Sequence, residues 1–214
     1  MNDIYDETPK YLPDKISSVV ILLHGYGADG NDLLKPIKES WHSLFPETAL
    51  FAPNGLIKRP AMGYEWFRLT NINEEEITTG VIETEKTIWA LIAAIVKNLS
   101  LPHKKIFFLG FSQGTIVALH AGLKYPSLLG GVIGFSGALP DRANIKTSIK
   151  QKPPIVLLHG ELDPVVPFMA SEMASNALKD ARVDVALHLE PDLAHAIGPI
   201  GFKIATNFLQ KHLG

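Results

Sequence analysis

Short runs of branched aliphatic residues alternate along this chain with longer segments whose apolar positions recur every three to four residues. The short runs predict strands over residues 19–23, 49–52, 105–109, 131–135, 155–158 and 182–189. Most are continuously apolar, as expected of parallel strands covered on both faces. In the last run Val183, Val185, Leu187 and Leu189 alternate with Asp184, Ala186 and His188. That alternation turns one face to solvent and places the strand at or near an edge. Helices are predicted over 32–41, where Pro36 interrupts the pattern, and over 80–99, 115–124, 167–179 and 198–212. In the second of these, Ile88, Leu91, Ile92, Ile95, Val96 and Leu99 form one stripe. Pro167 falls in a first turn, where proline is tolerated. The order β-α-β-α-β-α-β-β-α-β-α predicts an α/β fold: a doubly wound, mostly parallel sheet with helices on both faces.

Such sheets bind ligands at the carboxyl ends of their strands, so those ends hold the candidate chemistry. The run 105–109 leads into Gly110-Phe111-Ser112-Gln113-Gly114 and then a helical segment. G-x-S-x-G between strand and helix suits a serine in a strained turn, where there is no room for neighbouring side chains and the hydroxyl is lifted clear of the sheet. The adjacent helix N-terminus favours a developing anion. A serine nucleophile needs a base, and the base an orienting carboxylate. Of eight histidines, His42, His103, His120 and His212 lie away from strand ends, and His188 lies within the last strand. His195 follows that strand, just before the final helix, from where a loop can reach back over the sheet. For the acid, Asp163 sits in a proline-framed turn past the strand at 155–158, with Glu161 its nearest rival; Asp141 and Asp192 read more simply as solvated turn residues. Ser112, Asp163, His195 is the chain order of an α/β-hydrolase triad. The first strand ends in Leu23-His24-Gly25-Tyr26-Gly27-Ala28-Asp29-Gly30, whose glycines let the backbone approach a substrate. The N–H groups of Gln113 and Tyr26 are the expected oxyanion donors. A phosphate-binding loop would need a G-x-G-x-x-G or P-loop lysine pattern, which is absent.

Composition narrows the field. Lys plus Arg number 20 against 22 Asp plus Glu, a formal charge of −2 that argues against a nucleic-acid surface. The absence of cysteine rules out a disulfide scaffold, a thiol nucleophile and a thiolate metal site. The acidic, proline-containing start does not read as a secretory signal. The longest apolar run, 88–96, has nine residues, against the roughly 20 needed to span a bilayer. These features predict a single cytoplasmic domain over 1–214, without stable membrane insertion. The longest irregular segment, 53–76, carries Trp66 and Phe67; it either covers a site as a small lid or packs its aromatics onto the sheet.

Taken in order, His24-Gly25-Tyr26-Gly27, Gly110-Phe111-Ser112-Gln113-Gly114, His159-Gly160-Glu161-Leu162-Asp163-Pro164-Val165-Val166-Pro167 and the late His195 resemble the phospholipase/carboxylesterase family. This group of α/β-hydrolases has a minimal lid and includes the acyl-protein thioesterases. The resemblance runs from about Ser18 to Leu213. It implies a Ser112–His195–Asp163 triad, oxyanion donors on Tyr26 and Gln113, acyl contacts from Trp66 and Phe67, and no metal or organic cofactor. The implied substrate is a small or lipid-like acyl ester, hydrolysed by a monomer or homodimer. Three positions depart from the family pattern: Tyr26 stands where leucine is frequent, Arg68 follows Trp66-Phe67 where an acid is common, and Ala194 precedes the histidine in place of glycine. These leave the triad intact and bear on the substrate, with a short- to medium-chain carboxylic ester set against a lysophospholipid or acyl-protein thioester. Two other classes compete: a zinc-dependent hydrolase using His24, His159, Asp163 and His195, and a hydrolase-like binding protein without catalysis.

Overall fold

The computed structural model describes residues 4–70 and 73–213. After a short helix α1 (Ile4–Glu7) the chain forms β1 (Lys10–Tyr11), β2 (Ser18–Leu23), α2 (Gly30–Trp41) and β3 (Thr48–Phe51). A small hairpin follows, β4 (Ile57–Lys58) and β5 (Tyr64–Glu65), and then the long helix α3 (Glu74–Leu99). The rest is β6 (Ile106–Phe111), α4 (Gln113–Lys124), β7 (Gly131–Phe135), α5 (Ile145–Ser148), β8 (Ile155–Gly160), α6 (Met169–Asp180), β9 (Val185–Glu190) and α7 (Pro199–Leu213).

Seven strands make one sheet in the order β1-β3-β2-β6-β7-β8-β9, with β1 antiparallel to β3 and the others parallel. This is the α/β-hydrolase arrangement expected, and β9 is the edge strand that its alternation required. The continuous apolar runs are explained by the two layers. Val19, Ile21, Ile106 and Phe108 face α3 and α4, while Val20, Leu22, Phe107 and Leu109 face α2 and α7. Successive side chains of a strand point to opposite faces, so a strand buried on both shows no polar alternation.

The differences from expectation have local causes. Helix α2 runs on through Pro36, whose missing N–H leaves one intrahelical bond unmade, and it starts at a capping box: Asp29 Oδ1 accepts the Asn31 and Asp32 N–H groups at 2.7 and 3.3 Å, and Asp32 Oδ2 accepts the Asp29 N–H at 2.9 Å. Helix α3 starts six positions before the predicted Gly80. Asn73 caps it by accepting the Glu76 N–H at 2.8 Å, and three glutamates occupy its first turn. Gly80 lies inside the helix because Phe67 packs against it; an added Cβ would come within 2.5 Å of that ring. Strand β9 starts at Val185 rather than 182, since Arg182 takes φ +59° in the preceding turn. The sequence pattern did not predict β1 or the β4–β5 hairpin, each two residues per strand, nor the single-turn helices α1 and α5.

Candidate active site

Ser112 lies between β6 and α4 with φ 53° and ψ −118°, a left-handed conformation that costs a non-glycine residue about 1–3 kcal/mol. The surroundings hold it there. Its N–H donates to Phe135 O at 2.8 Å, and its carbonyl accepts the Thr115 N–H at 3.0 Å. The glycines are required by close approach: a Cβ on Gly114 would sit 1.9 Å from Leu23 O, and one on Gly110 2.6 Å from the Gly114 backbone. The sheet and the start of α4 are pressed together so closely that only glycine fits on either side of Ser112.

Asp163 and His195 meet. Glu161 N–H donates to Glu190 O and Leu162 N–H to Leu193 O, both at 3.0 Å, which ties the loop after β8 to the loop after β9. His195 Nδ1 then lies 2.7 Å from Asp163 Oδ2. The other oxygen, Oδ1, accepts the Val165 and Val166 N–H groups at 2.8 and 2.9 Å. The carboxylate is wholly withdrawn from solvent, whereas the His195 side chain is 17% exposed. Burial alone would raise the Asp163 pKa; the bonds from His195, Val166 and Val165 outweigh it and hold the carboxyl below its ordinary value. The His195 ring rests on Phe111, the residue before Ser112, with centroids 4.8 Å apart. The rival acid Glu161 is exposed.

His159, weighed from the sequence as a zinc ligand against a hydrogen-bonded loop support at a strand end, is the support. It is buried, and Nε2 lies 2.8 Å from Val166 O and 3.2 Å from Asp163 Oδ2. Nδ1 faces the Ser171 hydroxyl at 2.7 Å. The ring therefore braces the Asp163 turn from beneath, and desolvation foremost keeps its pKa low. Its position at the end of β8 was the available signal. His24 is also structural: Nδ1 meets Gly25 O at 2.7 Å while Nε2 accepts the Gly55 N–H at 2.9 Å. Both ring nitrogens are thus committed to backbone, and among the described residues no three His, Asp or Glu side chains converge to hold a metal.

The loop carrying Tyr26 is clamped by the β4–β5 hairpin. Gly27 N–H donates to Tyr64 O at 2.8 Å, Gly63 N–H to Gly27 O at 2.8 Å and Tyr64 N–H to Ala28 O at 2.7 Å. Buried Glu65 holds Arg59 at 3.2 Å, and that guanidinium lies 5.2 Å from the Tyr26 ring centroid. Among the described residues the amides of Tyr26 and Gln113 have no acceptor.

Trp66 and Phe67 are 1% and 0% exposed, so they are core residues. Of the two readings of segment 53–76, packing onto the sheet describes these aromatics; positions 71 and 72 lie outside the described residues. Trp66 N–H donates to Gln113 Oε1 at 2.9 Å, Gln113 Nε2 donates to Phe67 O at 2.7 Å, and Trp66 Nε1 donates to His24 O at 2.8 Å. A cavity of about 620 Å³ lies between α2 and α7, and neither aromatic lines it.

The model of the phospholipase/carboxylesterase family matches residues 12–213. The chain belongs to that family. Among its relatives, "Esterase YpfH" of Escherichia coli is 30% identical over 204 residues, covering 92% of this chain and 84% of that protein. "Acyl-protein thioesterase 1" of Schizosaccharomyces pombe is 30% identical over 211 residues, with 92% of each chain covered. The crystal structure of esterase PE8 superposes with a TM-score of 0.91 at 34% identity, covering 96% of this chain and 98% of that one. The expected fold and hydrolase class therefore hold. No helix among the described residues is long and apolar enough to cross a membrane.

Proposed function

We propose that this family member is a single-domain serine carboxylesterase acting on carboxylic esters of short to medium acyl chain. Ser112 is the nucleophile, His195 the base, and Asp163 the carboxylate that orients it. The observation that carries this reading is the 2.7 Å contact between His195 Nδ1 and a carboxylate shielded from solvent and held by two backbone N–H groups. With Nδ1–H donating a hydrogen bond to the Asp163 carboxylate, His195 keeps a lone pair on Nε2. That nitrogen takes the Ser112 proton as Oγ attacks the ester carbonyl. The oxyanion is stabilised by the Tyr26 and Gln113 N–H groups, each worth on the order of 100- to 1000-fold in rate. His195 then passes the proton to the departing alcohol, and water releases the acid by the same route. Every proton is carried by His195, so no cofactor enters these steps.

Action on long acyl chains, as a lysophospholipase or protein thioesterase, is the second reading; the name of the Schizosaccharomyces relative favours it. The burial of Trp66 and Phe67 favours the shorter substrates, since neither ring is free to wall an acyl channel. Hydrolysis of p-nitrophenyl esters from two to sixteen carbons, with fluorophosphonate labelling read by intact mass, tests both. Wild type should take one adduct and prefer the short to middle chains. Ser112→Ala should lose the adduct and about 10⁶-fold in kcat. Retention of a tenth of the activity would refute the assignment, and an optimum at sixteen carbons would favour the second reading.

A further inference from the structure

We propose that the cavity between α2 and α7 receives the alcohol or thiol portion of the ester, and that this portion is an uncharged apolar chain. The inference rests on the catalytic roles just proposed and assigns the leaving-group side of the same site.

The first argument is position. Gly25 lines the cavity, and a Cβ added there would lie 3.4 Å from Ser112 Cβ. Phe111 lines it too and carries the His195 ring, while Ile197 and Gly198 enter the lining just after His195. The cavity therefore reaches residues flanking Ser112 and His195, although neither of the two is itself in its lining.

Direction follows from proton transfer. The imidazole that removes the Ser112 proton must return it to the departing oxygen or sulfur, so that atom lies against His195. The group attached to it leaves along His195's side, where this cavity begins. The acyl group leaves the carbonyl on its other side, toward the β4–β5 hairpin, whose residues do not line this cavity.

Shape and polarity select the occupant. Leu33, Pro36 and Ile37 of α2 face Phe202 of α7 across the space. Phe202 is held in place by Trp41, which stacks on it at 5.6 Å and donates from Nε1 to Thr206 Oγ1 at 2.9 Å. Lining positions run from Asp32 to Ser40, about 12 Å of helix at 1.5 Å per residue. A linear chain of roughly eight to ten carbons spans that length, given C–C bonds of about 1.5 Å. Asp32 is among the lining residues, and its carboxylate opposes an anionic head such as a phosphoester, which points away from a lysophospholipid leaving group.

Two ester series test the assignment. Acetates of linear alcohols from methyl to octyl should show kcat/KM rising about fourfold per methylene. Pro36→Phe and Ser40→Trp, at exposed lining positions of α2, should flatten that rise. The slope for methyl esters of acids from acetate to octanoate should stay as in wild type. Independently of turnover, 1-octanol should raise the melting temperature of Ser112→Ala and not that of Ser112→Ala with Pro36→Phe. No dependence on alcohol length, equal flattening of both series, or no stabilisation by octanol overturns the assignment. Failure of the catalytic reading looks different: neither series is hydrolysed, Ser112 takes no fluorophosphonate, and this assignment falls with it.

Discussion

Asp163→Asn separates orientation of the base from every other contribution to the site. The replacement keeps the shape, and its amide oxygen can go on accepting the Val165 and Val166 N–H groups now held at 2.8 and 2.9 Å. That choice turns the new NH₂ toward His195 Nδ1, where a carboxylate oxygen stood at 2.7 Å. Two donors cannot face each other, so Nδ1 must become the acceptor and the ring proton moves to Nε2. An imidazole protonated at Nε2 has no lone pair for the Ser112 hydroxyl. The expected loss is about 10⁴-fold in kcat, near 5.4 kcal/mol at 1.36 kcal/mol per decade. KM should change little, because Asp163 is buried behind His195 and touches no substrate. Steady-state hydrolysis of p-nitrophenyl acetate reads both constants, with circular dichroism and urea unfolding to show that the variant is folded. Glu161→Gln removes the exposed neighbouring acid and should leave kcat within about twofold, as surface changes usually do. A folded Asp163→Asn enzyme within tenfold of wild type, or an equal effect from Glu161→Gln, would refute the assigned orientation.

Three further predictions concern stability. Gly114→Ala places a methyl group 1.9 Å from Leu23 O and should cost about 2 kcal/mol or more in urea unfolding; a neutral result would mean that α4 can shift freely against β2. Gln113→Ala strands the Trp66 N–H and the Phe67 carbonyl in the core, at about 1–3 kcal/mol each, and a loss below 1 kcal/mol would argue against that bridge. His24, His120 and His159 are all held below the ordinary histidine pKa, desolvation being the largest cause in each. The unfolded chain therefore takes up these protons first. Their contribution to stability is complete above about pH 6.5 and falls as the pH drops toward the folded-state values, by up to about 1.4 kcal/mol per pH unit for each group. Urea unfolding from pH 8 to 5 should show the decline, and a flat profile would contradict the buried neutral state. Asp163, shifted below the usual aspartate value, loses its own contribution only at lower pH, below that of an ordinary carboxyl.

What could be read from the sequence and what could not divide along the range of the interactions. Strands β6 to β8 fill both layers of the core, and their composition alone marked them. Ser112, Asp163 and His195 could be singled out as candidates because each follows a strand end, and the topology brings parallel strand ends to one edge. The two-residue strands of the β4–β5 hairpin carry no periodicity; they exist because the Gly27 loop supplies partners for Gly63 and Tyr64. Trp66 and Phe67 looked like free aromatics on a loop for a related reason. Their burial depends on Gln113, 47 and 46 positions away, a contact that no local pattern encodes.

That contact also ties segment 53–70 into the frame of the proposed site. Gln113 lends its backbone N–H to the proposed oxyanion hole, while its side chain fixes Trp66 and Phe67. Trp66 in turn donates to His24 O, at the root of the loop that supplies Tyr26. The same segment clamps that loop from outside through Gly63 and Tyr64. Both proposed oxyanion donors are therefore referenced to one rigid insert, as pre-organised stabilisation requires, since donors that must move to meet the charge lose much of their effect. A segment with this duty has to be closely packed, and its packing withdraws its aromatics from any substrate. The apolar cavity between α2 and α7 meets that frame through His24, Gly25 and Ala28, and no residue of segment 53–70 lines it, so the insert that holds the geometry is not itself a wall of the space that has room for a ligand.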